Sequence, residues 1–396
     1  MMEAQNVYLD ANGGLPLSKS AMDAIVRTGR YTNPSNGSAM AGREAETEYL
    51  NASNKMVALL VGRDLAEKWE LVNTSGASEG LATCLTSLSG EESPIVIVDT
   101  PHPMVDETIM RYDLRTISCG RSKASVQAAT RRPSSCCGIL ITHSISLTGE
   151  LVDVAAISKA YSGNQPSAPV ILDSTQVIGK VPNPFIDIGT VDAIIFSSHK
   201  FGGPKGHGGV LLRKSGNMIS KWRPLIPGSQ QGRRRGGTIN VMGISAAAAA
   251  LEETLDGLQV KWETTSLSMR RLIEAIGKLG LPRVKILHPS TDCTASSKGY
   301  TMNTLLLSIP FCSRTFATEM SKRGYDIGIG PACQTDVISI SDDPYPYKLR
   351  ISMAAGTELD VEKFMRTFVE VYRERIELWK EKMENAMDEM PEDLST

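Results

Sequence analysis

The sequence predicts an α/β fold with a mainly parallel central sheet, flanking helices and a smaller α/β C-terminal domain. Short, continuous apolar runs bounded by turn residues recur along the middle of the chain, with helical or loop segments between them. Such runs suit strands buried on both faces, and strands alternating with helices favour parallel pairing. The length, 396 residues, exceeds what one hydrophobic core usually serves, so two domains are expected.

Taken in order, Val7 to Gly14 reads as a short strand breaking into a glycine turn, inside an N-terminal segment of residues 1–15. Leu17 to Arg27 reads as a helix, Asn33-Pro-Ser-Asn-Gly-Ser38 as a dense turn, and Ala41 to Val61 as a longer helix. Strands are expected at Glu70–Asn73, Pro94–Val98, Gly138–Thr142, Pro169–Asp173, Asp192–Phe196 and Gly209–Arg213, all in a large domain of residues 16–256. The alanine run Ala246 to Ala250 continues a helix through Leu255, and Asp256-Gly257 breaks it. A second helix, Lys261 to Leu279, leads into a small domain of residues 257–396 with strands at Thr304–Ile309 and Lys348–Ser352. A capping box of Thr357 with Asp360 is expected to start the C-terminal helix. Val361, Phe364, Met365, Phe368 and Tyr372 form its core face, and the acidic tail from Asp388 is expected to fray.

Composition narrows the function classes. At 41% hydrophobic and 22% charged the chain is ordinary for a soluble globular protein. A formal net charge of -2 gives no electrostatic reason to expect nucleic acid or an anionic membrane as partner. No apolar run approaches the ~20 residues of a membrane span. Met1 to Val7 carries Glu3 and no basic or apolar leader, so a cytoplasmic protein is expected. The cysteines, Cys84, Cys119, Cys136, Cys137, Cys293, Cys312 and Cys333, include no C-x-x-C pair. Neither a disulfide framework nor a structural zinc site is expected, and a reducing compartment fits best.

Ligand sites in parallel sheets gather at the carboxyl ends of strands, where Thr74, His143, Asp173 and Ser197 fall. Lys200 ends a buried strand, with small residues before it and Gly202-Gly-Pro-Lys-Gly206 after it. Partial desolvation there would lower the amine's pKa and make it nucleophilic. Lys200 is therefore the candidate to hold pyridoxal phosphate (PLP) as a Schiff base; the alternative is a surface lysine in a Gly/Pro turn.

An ordered set of motifs accompanies it. Asn33-Pro-Ser35, Thr74-Ser-Gly-Ala-Ser-Glu-Gly80, His102, Asp173-Ser-Thr-Gln176, Ser197-Ser-His-Lys200, Gly228-Ser-Gln-Gln-Gly-Arg-Arg-Arg-Gly-Gly-Thr238 and Pro331-Ala-Cys333 follow one another along the chain. From about Tyr8 to Phe364 this set resembles the NifS-like cysteine desulfurases, of the class V aminotransferase group of fold-type-I PLP-dependent transferases. The resemblance implies that Lys200 bears the cofactor and that Asp173 pairs with its pyridinium nitrogen, keeping the ring an electron acceptor. Gln176 would bond the ring's phenolic oxygen; Ser146 stands where the family's asparagine also meets that oxygen, and because a serine reaches less far Gln176 would hold it largely alone. Ala77 and Ser78 would cradle the phosphate at a helix N-terminus, helped by Ser197 and His199. His102 would stack on the ring and move protons. Thr238 would reach the phosphate in the partner of a homodimer. Arg350, a bidentate fork, would clamp the substrate carboxylate, with Asn33 also on the substrate. Cys333, in a Gly/Pro loop able to expose a thiolate, would take sulfur from L-cysteine as a persulfide and release L-alanine. The implied destinations are iron–sulfur cluster assembly or tRNA thiolation, through a sulfur-acceptor protein.

Taken singly, most of these residues have plainer readings. Asp173 would be a helix N-cap, Ser197 and His199 turn-stabilising groups, His102 a satisfied core histidine, Arg350 a surface strand charge and Cys333 an inert small hydrophobe. The chain also departs from the family pattern. His143-Ser-Ile-Ser-Leu-Thr-Gly149 stands where His-x-Asn-Asn-Glu-x-Gly is usual, so Ser146 replaces an asparagine and Leu147 a glutamate. Gln231-Gly232 stands where Glu-Arg is common. A selenocysteine lyase, another class V lyase or aminotransferase, and a weakly catalytic scaffold in sulfur delivery are the competing readings.

Overall fold

The computed structural model describes residues 6–99, 101–131, 135–185, 188–289, 299–330 and 347–388. The first part of the chain runs β1 (Val7–Leu9), α1 (Lys19–Thr28), α2 (Met40–Val61), β2 (Trp69–Thr74), α3 (Ala77–Thr86), β3 (Ile95–Val98), α4 (Pro103–Arg111), β4 (Thr116–Cys119), α5 (Lys123–Ala129), β5 (Gly138–Thr142), α6 (Val154–Asn164) and β6 (Val170–Asp173). It continues through β7 (Ala193–Ser197), β8 (Gly208–Arg213), α7 (Asn217–Lys221), α8 (Val241–Leu255), α9 (Leu258–Leu279), β9 (Lys285–His288), β10 (Thr304–Ile309), α10 (Ser313–Lys322), β11 (Tyr325–Ile329), β12 (Tyr347–Ser352) and α11 (Val361–Asp388). Two units divide it: residues 14–145 with 150–259, and residues 1–13 with 146–149 and 260–396.

The larger unit is built on a seven-stranded sheet of order β2-β8-β7-β6-β5-β3-β4. Strands β3 to β7 pair in parallel, while β8 runs antiparallel to both its neighbours. Every residue of β3, β5, β6 and β7 is buried, which is why their sequences are unbroken apolar runs rather than alternating ones. One core packs Val96, Ile139, Leu172 and Ile194 with α1, α2, α6 and α8. Another packs Val72, Ile97, Leu140 and Ile195 with Leu81 and Leu85 of α3. The alanines of α8 fit this arrangement, since Ala246, Ala247, Ala248 and Ala250 are buried where a larger side chain would hold the elements apart.

The smaller unit has a five-stranded sheet of order β1-β11-β12-β10-β9. Its core joins Leu9, Leu305, Leu307, Leu349 and Ile351 to Phe364, Phe368 and Tyr372 of α11, on the face that helical spacing predicts. The cap of α11 differs from expectation. Asp360, not Thr357, accepts the amide of Lys363 at 2.9 Å and supplies the first backbone acceptor, to Phe364. Thr357 belongs to the preceding turn, where its amide donates to Ala354 and its carbonyl accepts from Ser268. Three strands escape sequence reading: β4, only partly buried, β9, with a half-exposed pattern, and β11, broken by Asp326 and Gly328.

Candidate active site

Strand register brings the expected residues of the larger unit to one edge. Thr142 lies opposite Asp173, and Asp173 opposite Ile195. Ser197 lies opposite Gly208, which lies opposite Thr74 on its other side. Because β8 is antiparallel to both β7 and β2, those two run the same way, and the carboxyl ends of β2, β5, β6 and β7 coincide.

After β2 the chain enters α3 through Gly76, which has no side chain to cap the helix. The first amides of the helix, those of Ala77 and Ser78 among them, lack intrahelical acceptors and carry the positive end of the dipole. A Cβ on Gly208 would lie 2.7 Å from Gly76 Cα, and one on Gly76 would lie 3.6 Å from Ser197 Oγ. Glycines thus press the helix entry against β7 and β8. Glu79 closes the other side: it accepts from Ser75 N at 2.8 Å and from Arg235 Nε at 2.9 Å. Burial pushes its carboxyl up, but Arg235 and Ser75 outweigh that and hold it below the usual range.

Lys200 sits in a single 3-10 turn, Ser198–Phe201, directly after β7, and is buried. Gly202 closes the turn at φ +83, a left-handed position that favours glycine. Asp173, also buried, ends β6, and its Oδ1 accepts from Thr175 N and Oγ1. Gln176 follows in the same turn, and its Oε1 accepts from the Nζ of Lys180, another buried lysine. His199 Nδ1 and Ser197 Oγ are 2.9 Å apart. Burial lowers the His199 pKa to about 4, helped by the charges of Lys200, Lys205 and Lys180, so its imidazole is neutral near pH 7.

His102 is the N-cap of α4, and its Nδ1 accepts the amide of Met104 at 3.2 Å. That bond puts the ring proton of the neutral form on Nε2. His143 and His207 are buried neutral histidines, both lowered to about 4 by desolvation. His143 Nδ1 meets Ser174 Oγ at 3.0 Å. His207 lies 3.2 Å from Ser198 Oγ through Nδ1 and 3.2 Å from Asn73 Oδ1 through Nε2. Asn73 in turn pairs with Gln231: its amide donates to Gln231 Oε1 at 2.7 Å, and Gln231 Nε2 donates to its carbonyl at 3.1 Å. A hydrogen-bonded chain therefore joins the arginine-rich loop to the Lys200 turn. Thr238 is exposed at the end of that loop, and Asn33 is exposed in a turn where its Oδ1 accepts from Ser35 N.

Three expected site residues belong to the smaller unit, two of them described. Arg350 is 1% exposed on β12; its Nη2 pairs with Asp10 and its Nη1 donates to the Gly330 carbonyl at 3.0 Å. Its Nε is buried without a hydrogen-bond partner among the described residues. A Cβ on Gly328 would lie 2.4 Å from Asp10 Oδ1, so glycine there makes room for the ion pair. Ser146 offers its carbonyl to Asn12 Nδ2 at 2.8 Å. Cys333 lies outside the described residues. The thiols of Cys84, Cys119, Cys136, Cys137 and Cys312 are free.

Sequence reasoning missed Lys180, His207 and Asp10. Each stands beside a recognised motif, and only a partner distant in sequence, or a turn geometry, gives it meaning. Chemically, the larger unit offers an anion-accepting helix end, a buried carboxylate and a buried amine at one sheet edge. Among the described residues no cluster of three His, Cys, Asp or Glu side chains could hold a metal, and no helix is long and apolar enough to cross a membrane.

The architecture is a mixed α/β fold of the NifS-like, fold-type-I kind. A solved NifS-like protein superposes with a TM-score of 0.76 at 22% identity, covering 93% of this chain and 99% of that one. A NifS-like protein from Rickettsia africae gives 0.74 at 20% identity, covering 93% and 100%. Residues 7–364 match the Aminotransferase class-V family, and the chain belongs to it. A cysteine desulfurase of Cereibacter sphaeroides is 28% identical over 313 residues, 74% of this chain and 76% of its own length. One from Enterobacter agglomerans is 30% identical over 266 residues, 63% and 62% respectively. A mitochondrial cysteine desulfurase of Eremothecium gossypii is 25% identical over 292 residues, 69% and 56%.

Proposed function

We propose that this chain is a PLP-dependent cysteine desulfurase, converting L-cysteine to L-alanine and leaving the sulfur as a persulfide on Cys333. The observation that carries the reading is the juxtaposition of buried Lys200, buried Asp173 and the uncapped α3 N-terminus along one sheet edge. Cysteine desulfurases among its relatives support the same chemistry. The residues present fit the cofactor. The glycine-lined entry to α3 leaves backbone amides for a phosphate, with Ser197 and His199 beside it. Asp173 suits a protonated ring nitrogen, and the Lys200 amine suits an aldehyde. When bound, the cofactor supplies an electron sink for the substrate's Cα.

The chain's own groups account for the rest. Arg350 binds the substrate carboxylate through its Nε, which has no hydrogen-bond partner among the described residues. His102, with its proton on Nε2, exchanges protons near the ring. The Cys333 thiolate forms an S–S bond to the substrate sulfur as the Cβ–S bond breaks, and Cβ takes a proton to give alanine. A homodimer in which Thr238 completes the neighbouring site, an acceptor protein for the persulfide and a cytoplasmic setting belong to this reading. Purified protein with PLP, L-cysteine and a thiol reductant should yield equal amounts of alanine and sulfide, and Cys333→Ser should abolish the sulfide. Cofactor-loaded protein that yields neither product overturns the proposal. Sulfide release unchanged by Cys333→Ser overturns the assignment of that thiol.

A further inference from the structure

The turn after β6 carries a second buried lysine, Lys180, whose Nζ donates to the site residue Gln176. We propose that Lys180 is a positioning residue: it fixes which end of the Gln176 amide faces the cofactor's ring oxygen and adds a positive charge beside that oxygen. The inference rests on the reading above, in which the cofactor occupies this edge and Gln176 addresses its phenolic oxygen.

A glutamine amide can present either its oxygen or its NH2 group, and the surrounding network decides which. An ammonium has donors and no acceptor, so it can engage only the oxygen. Lys180 Nζ donates to Gln176 Oε1, so the NH2 group is the end of the amide that can donate elsewhere. A ring oxygen carrying negative charge needs that donor end; the oxygen end would repel it. Lys180 is 4% exposed and Gln176 half-buried, so the pairing is shielded from water.

The backbone holds the lysine in place. Gly179 adopts φ +74, and a Cβ there would lie 3.0 Å from Phe201 Cβ and 2.7 Å from Thr254 Cγ2. Glycine thus seats the Lys180 turn directly against the turn that bears Lys200. The charges of Lys180, Lys200 and Lys205 all bear on His199. Other charged or titratable groups along this sheet edge include Asp173 at the end of β6, His143 just after β5, His102 at the start of α4 and the Glu79–Arg235 pair at the entry to α3. Ser146 stands where the family has an asparagine, and a serine side chain reaches less far; its carbonyl is held by Asn12. Orientation of the Gln176 amide therefore carries more weight here than in a chain with two amides on the oxygen.

The test is an absorbance titration of the cofactor-loaded protein against pH, with borohydride trapping at Lys200 as control. Wild type should show a chromophore that borohydride reduces onto Lys200. If it does not, the functional reading falls and the inference with it. Lys180→Met should raise the midpoint of the chromophore titration by about one unit or more, because a nearby positive charge favours the anionic oxygen. Lys180→Arg, which restores charge and donors, should return it toward wild type, a rescue that a packing role would not produce. Lys180→Gln, neutral but polar, takes the place of Lys180→Met should the latter not fold. A trapped chromophore whose midpoint is the same in wild type and the neutral variant overturns the inference and leaves the functional reading standing.

Discussion

Acidification should strip stability from the larger unit through His207, and the size of the effect can be worked out. The imidazole is 2% exposed, bonded to Ser198 and Asn73, and lowered from 6.5 to about 4 by burial. Above pH 6.5 both the folded and unfolded chains hold this group neutral, so it exerts no pull. Below that, the unfolded chain takes up a proton that the folded one refuses, and stability falls until the folded pKa is reached. The loss is about 2 kcal/mol at about pH 5 and approaches about 3 kcal/mol below pH 4, at 1.36 kcal/mol per pKa unit. Urea unfolding midpoints of wild type and His207→Gln, taken near pH 7.5 and near pH 5, isolate this contribution. Whatever the substitution costs at neutral pH, the variant should lose about 2 kcal/mol less than wild type between the two conditions. Equal losses in the two proteins would refute the argument that His207 is held neutral by burial.

Three further outcomes follow from the geometry. Gly208→Ala should destabilise the larger unit and weaken PLP retention, read by thermal melting and cofactor release, because the added methyl meets Gly76 Cα at 2.7 Å and Phe196 O at 2.6 Å. Gln231→Glu should cost about 1–3 kcal/mol in urea unfolding at neutral pH, because a carboxylate cannot donate to the Asn73 carbonyl that Gln231 Nε2 now satisfies. Arg350→Lys should raise KM for L-cysteine at least about tenfold while leaving the absorbance of bound cofactor intact, since lysine has no Nε donor beside an anchored guanidinium.

What could be read from the chain depended on whether local sequence carried the physics. Strands β3, β5, β6 and β7 are buried on both faces, so their apolar runs announce them; β4 is partly exposed and carries no such signature. Lys200 and Asp173 were legible because each ends a strand with turn chemistry after it. The ion pair of Arg350 with Asp10 was not, because 340 positions separate the partners and only the β1-β11-β12 arrangement joins them. Gln231 looked like a departure from a family pattern; in the fold its amide is the complement of a peptide group. The cap of α11 was placed one turn early because Thr357 and Asp360 both suit the role, and only the tertiary bond from Ser268 removes Thr357 from contention.

The smaller unit is assembled from stretches that are far apart in the gene's reading order: residues 1–13, a four-residue insert at 146–149, and everything from 260 onward. No single cut can release it as an independent fragment. Shortening the amino end would delete an edge strand and the anion beside Arg350, damaging a sheet whose other members are encoded hundreds of codons later. Changes within residues 7–13 therefore test the integrity of the unit completed from residue 260 onward, not that of the unit that follows them in sequence.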